Sequence, residues 1–101
     1  MNYRVHHEAD SEQTEAFDYL EQQSYGLGKR FNAEISYAIQ RICEHPFACQ
    51  ELECGARRRN LVKFPYGIFY VIENKEIIII AFAHWKRDPN YWLYRLPQNT
   101  H

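Results

Sequence analysis

The chain is 101 residues long with a mass of 12.2 kDa, and 46% of its residues are hydrophobic and 16% aromatic. That is one domain with enough apolar surface for a core, and four Gly and four Pro exclude a low-complexity chain. The net charge of −1 conceals a divide: residues 1–54 hold four Lys/Arg against ten Asp/Glu, a net −6, and residues 55–101 hold eight against three, a net +5. A near-neutral total argues against strong, indiscriminate nucleic-acid binding, while a basic half points to an anionic partner if its cations share a face. The longest uncharged apolar run, Ile77 to Ala83, is far too short to span a bilayer. Met1 to Asp10 is polar, so no signal peptide is expected and the chain reads as a soluble cytoplasmic protein.

In chain order, Asn2 to His7 alternates and reads as a first strand. Asp10 with Gln13 forms a capping-box pattern that predicts a polar helix from Ser11 to Ser24, with Ala16, Phe17 and Leu20 on its apolar side. Tyr25-Gly26-Leu27-Gly28 breaks it. Leu27, Phe31, Ile35, Ala38 and Ile42 then recur at steps of four, four, three and four, the clearest helical stripe in the chain, and Pro46 stops it. Two helices joined by a short glycine turn predict an αα-hairpin.

The second half changes period. Ala56 to Lys63 alternates Arg with apolar residues, Phe64-Pro65-Tyr66-Gly67 interrupts, and Ile68 to Glu73 reads as a strand. Asn74-Lys75 predicts a hairpin turn into Glu76 to Trp85, whose nearly continuous apolar run predicts a central strand covered on at least one face. Lys86 to Asn90 is a polar turn, and Tyr91 to Leu96 predicts a short helical segment. The order β-α-α-β-β-β predicts an α+β domain spanning residues 1–101, with a helical hairpin on one face of an antiparallel sheet.

Cys43, Cys49 and Cys54 form an odd set, best read as reduced thiols. Zinc held by Cys43, His45, Cys49 and Cys54 has suitable ligand chemistry but lacks the tight paired spacing of closed zinc sites, so no metal is expected.

Three stretches carry more than a generic domain: Gly55-Ala56-Arg57-Arg58 with Phe64-Pro65-Tyr66-Gly67-Ile68-Phe69-Tyr70, the strand end His84-Trp85-Lys86-Arg87, and Asp88-Pro89-Asn90-Tyr91-Trp92. Together with His6-His7-Glu8-Ala9 and Leu27-Gly28-x-x-Phe31, they resemble the RelE/ParE superfamily of type II toxin–antitoxin toxins, closer to the ParE-like, plasmid-stabilisation branch. The resemblance implies a helical hairpin on a curved antiparallel sheet, in a bacterial toxin neutralised by a cognate antitoxin encoded beside it. It implies inhibition of DNA gyrase, stalled on cleaved DNA, if the chain is ParE-like. The alternative it leaves open is a RelE-type endoribonuclease that cuts messenger RNA in the ribosome.

Cleavage of RNA needs a proton acceptor, a proton donor and positive charge on the transition state. By the resemblance, the sheet position where such ribonucleases hold an important arginine falls on Gly67, and the basic set is incomplete. Arg58, His84, Arg87 and Tyr91 are the candidates if the chain is a ribonuclease, with His84 as base and Arg87 on phosphate. The expected surface for antitoxin or target comprises Arg57, Arg58, Arg59, Lys63, Arg87, Tyr91, Trp92 and Arg95. Arg57, Arg58 and Arg59 cannot all point the same way on a strand, so at least one is expected to form a salt bridge with the acidic helices, and the rest could bind an acidic antitoxin tail. Trp92 and Tyr91 read first as a clasp onto the core. No cofactor and no small-molecule substrate is expected.

Overall fold

A computed structural model describes residues 1–88 and 90–97. Strand β1 (Asn2–Val5) leads into helix α1 (His7–Gln23), and α2 (Leu27–Glu44) returns beside it. Then come β2 (Arg57–Asn60), β3 (Tyr66–Glu73), β4 (Glu76–His84) and a 3₁₀ turn at Leu93–Arg95, in the expected order. Among the described residues no helix is long and apolar enough to cross a membrane.

Helix α1 starts earlier than the Asp10/Gln13 pattern predicts, because His6 is its N-cap: the imidazole Nδ1 accepts the Glu8 N–H at 3.1 Å. Glu8 and Asp10 then fall in the first turn, where the helix dipole favours negative charge. Gln13, freed from capping, donates to Asn32 of α2 at 3.0 Å. Gly26 reverses the chain with φ at 82°, a conformation that favours glycine. The Glu21 carboxylate of α1 caps α2, accepting the N–H groups of Gly26, Gly28 and Lys29 at 3.2, 2.8 and 3.3 Å. These bonds, that of Gly26 foremost, hold its carboxyl below the ordinary range. Gly28 is where the helices touch: a Cβ there would lie 2.7 Å from the Phe17 carbonyl oxygen.

The strands lie in the order β1-β4-β3-β2. Strand β3 is antiparallel to both β2 and β4, as expected, but β1 joins β4 in parallel, so the sheet is mixed rather than wholly antiparallel. Asn74 and Lys75 make the β3–β4 turn, both at positive φ (52° and 62°), which matches the twist of the hairpin.

The helices cover one face of the sheet, with Phe31, Ile35, Ala38 and Ile42 of α2 packed on Ile68, Tyr70, Ile77, Ile79 and Phe82. On the opposite face Trp92, Tyr91 and Leu96 of the terminal segment cover Phe69, Val71, Ile78 and Ile80. Strand β4 is therefore buried on both sides, which is why its apolar run is unbroken. Pairing slips between Phe69 and Tyr70, which face Ala81 and Ile79, leaving Ile80 as the extra residue of a β-bulge. Beyond Ile79, β1 has ended and the β4 edge has no strand partner among the described residues; Arg95 donates to the Ile80 carbonyl at 3.1 Å and Glu12 accepts the Phe82 N–H at 3.2 Å.

Candidate functional site

Alternation sorts the arginine triplet. Arg57 pairs with Tyr70 and Arg59 with Ile68, on the helix side of the sheet, whereas Arg58 pairs with Phe69 and Asn60 with Gly67, on the opposite side. Arg57 is occupied locally: its guanidinium donates to the Cys49 and Phe47 carbonyls at 2.7 and 3.3 Å and lies 3.6 Å from Glu51. The expected salt-bridge partner is thus a residue of the α2–β2 loop, not of an acidic helix. Lys63 stands elsewhere, beside Val62, Tyr37 and Arg30 along α2, with its N–H held by Glu34.

Arg58 faces the end of β4 across a shallow pocket of about 150 Å3, lined also by Asn60, Gly67, His84, Trp85, Arg87, Asp88 and Trp92. Of the four ribonuclease candidates, Arg58 and Arg87 therefore border one pocket, whereas His84, paired with Tyr66, turns its ring to the helix side of the sheet. Gly67 opens the floor, since a Cβ there would lie 2.9 Å from the Asn60 side-chain oxygen and 3.6 Å from Cγ of Arg58. His84 is fixed at both ends of its ring. Its Nδ1 accepts the Lys86 N–H at 3.0 Å, so the neutral imidazole carries its proton on Nε2, and its ring meets the edge of Tyr66 at 5.1 Å.

Tyr91, the fourth candidate, turns away from the pocket. Its hydroxyl donates to Glu12 of α1 at 2.5 Å, and burial first, then that carboxylate, push the phenol well above its ordinary value. Arg87 lies over the Tyr91 ring, 4.0 Å from its centroid, in a cation–π contact that holds the guanidinium while leaving it exposed. Trp92 is 1% exposed and stacks on Phe69 with centroids 4.8 Å apart, the clasp that the sequence predicted. Its indole N–H meets no acceptor among the described residues. Arg95 is taken into the fold: its guanidinium pairs with Glu12 at 3.0 and 3.1 Å.

The expected cationic surface thus resolves into separate roles. Arg58 and Arg87 share the pocket, Arg59 and Lys63 lie apart from it, and Arg57 and Arg95 are held by the protein's own acceptors. Sequence reasoning missed Trp85, which is 58% exposed at the pocket rim, and Asn60 in its wall. The available signal was a large aromatic at the end of an apolar strand, followed at once by two cations. The cysteines remain free, and the metal-type ligands that come within 4.8 Å of one another among the described residues are His6, His7 and Glu8 instead. Those groups already have occupations: His6 caps α1, and Tyr94 donates to Glu8, which also lies 3.5 Å from Arg95.

The two-helix, four-strand fold is shared with a solved chain described as the chromosomal ParDE TA system from P. aeruginosa. The match has a TM-score of 0.72 and 16% identity over 83% of this chain and 95% of that one, a likeness of fold. No curated protein matches by sequence. The family model for the ParE toxin of the type II toxin-antitoxin system parDE matches residues 3–89, and the chain belongs to that family. It is the toxin of a type II toxin–antitoxin system.

Proposed function

We propose that this toxin is a ParE-type inhibitor of DNA gyrase that acts by binding, in the bacterial cytoplasm, and that a cognate antitoxin neutralises it. The observation that favours a binding inhibitor over a ribonuclease is the direction of Tyr91. A cleaving site needs a proton donor beside its cations, and this hydroxyl is bound to Glu12 behind the sheet edge instead. Gly67 adds to that reading, since the position matching a catalytic arginine of RelE-type enzymes is open floor in this pocket. The exposed guanidinium groups of Arg58 and Arg87 remain available to a macromolecular anion.

The test is to incubate the purified toxin with gyrase and plasmid DNA, and separately with ribosomes translating a defined message. Gyrase inhibition predicts accumulated cleaved plasmid and intact message, with filamentation and DNA-damage signalling in induced cells. Truncated message with intact plasmid would overturn the proposal in favour of the ribonuclease.

A further inference from the structure

The pocket beside the end of β4 combines features that a purely protein-binding patch does not require. Two arginines from different elements, Arg58 of β2 and Arg87 of the turn after β4, border a space of about 150 Å3. His84 borders the same space from the end of β4, but its ring turns to the helix side of the sheet against Tyr66, so it supplies no side-chain donor here. Trp92, 1% exposed, forms part of the pocket wall. Asp88 is the one carboxylate among the described lining residues, and its Oδ1 already accepts the Asn90 N–H at 2.9 Å. At the rim stands Trp85, 58% exposed, a flat apolar surface with no evident part in the core.

From this arrangement we infer that the pocket binds a phosphodiester of an unpaired nucleic-acid strand, with Arg58 and Arg87 on the phosphate and Trp85 stacked against the adjoining base. An acidic peptide would satisfy the guanidinium groups but has no use for an exposed indole beside them. A strand with unstacked bases uses both, because stacking on aromatic rings accompanies backbone contact in single-strand recognition. The inference rests on the gyrase reading in one respect: the strand in question is then the opened DNA of the trapped complex, touched by the toxin directly.

The test is direct titration of the purified toxin with a short fluorescent oligothymidylate over a range of salt concentrations. Binding is expected to quench the emission of exposed Trp85. Charge removal in Arg58→Ala or Arg87→Ala should weaken it by about tenfold and lower the slope of log affinity against log salt by about 0.7 each, one phosphate contact of a single strand. Trp85→Ala should weaken binding by about tenfold without changing that slope. Lys29→Glu, a charge reversal on α2, should leave both unchanged, and matched thermal unfolding shows that each variant is folded. Oligothymidylate affinity indifferent to Arg58 and Arg87, or displacement of the oligonucleotide by polyaspartate with Trp85→Ala as tight as wild type, overturns the inference. Cleaved plasmid from gyrase without any oligothymidylate binding also overturns it and leaves the gyrase reading standing. Oligothymidylate binding with all three variant effects, but without action on gyrase, upholds the pocket and removes the gyrase reading.

Discussion

Glu12 and Arg95 form a two-pronged ion pair across the end of β4, at 3.0 and 3.1 Å, with side chains 12% and 4% exposed. The pair also serves the backbone: Arg95 takes the Ile80 carbonyl at the bulge and Glu12 takes the Phe82 N–H. A helix at the start of the chain and a turn near its end thereby finish a strand edge that β1 is too short to cover. The same carboxylate holds Tyr91, whose ring supports Arg87, so the pair also bears on the position of a pocket cation.

Truncating Arg95→Ala should cost about 3–5 kcal/mol, because it strands the Glu12 carboxylate and the Ile80 carbonyl in a poorly hydrated place. Replacing both partners together, as Glu12→Leu with Arg95→Met, should recover part of that loss, since no charge is then left unpaired. Urea unfolding of the three variants measures it. A loss below about 1 kcal/mol for Arg95→Ala would place the pair with exposed salt bridges of little consequence.

Gly28→Ala should destabilise by about 1–3 kcal/mol although alanine is the better helix former, because its Cβ would meet the Phe17 carbonyl oxygen at 2.7 Å. Main chain cannot yield as a flexible side chain does. A melting temperature at least about 4 °C lower is the expected reading, and an unchanged or raised value would mean that the two helices can separate freely.

The His6 cap makes folding depend on pH. Its imidazole lies below its ordinary value of 6.5, by burial first and then by the charges of His7 and Arg95, against the pull of Glu8 and Glu12. Below 6.5 the unfolded chain therefore binds a proton that the folded chain resists, so stability is full above 6.5 and declines as pH falls towards the depressed folded value. Glu8 and Glu21 also lie below their ordinary value of 4.5, so their contributions fade in a separate window at lower pH. His6→Asn keeps an acceptor for the Glu8 N–H and should flatten the stability profile in the upper window only. A wild-type stability that is level from pH 7 to pH 5 would falsify this role.

These features differ in how far local sequence could announce them. The α2 stripe and the Asn74-Lys75 turn are local, and both formed where the residues placed them. The start of α1 was misread because histidine is not among the usual caps and Asp10 is. The parallel pairing of β1 with β4 joins residues more than seventy positions apart, as in Arg4 opposite Ile78, and no short-range pattern encodes a partner. Alternation correctly divided Arg57, Arg58 and Arg59 between faces, yet could not say that Arg57 would meet loop carbonyls. Arg95 read as a surface cation because arginine is seldom fully buried without a partner, and that partner, Glu12, lies at the other end of the chain.

Tyr91→Phe separates the two toxin chemistries most sharply. The substitution removes one hydrogen bond to a carboxylate that Arg95 still holds, so a stability loss of about 1–3 kcal/mol is expected. The ring remains beneath Arg87, and the cation–π contact needs no hydroxyl. Gyrase-directed toxicity should therefore persist once soluble protein levels are matched, with plasmid cleavage within about threefold of wild type. A ribonuclease using this phenol as proton donor would lose about a hundredfold or more in rate. Growth arrest abolished by Tyr91→Phe, in protein that remains folded and antitoxin-competent, would shift the reading to RNA cleavage and imply that Tyr91 leaves Glu12 when its target binds.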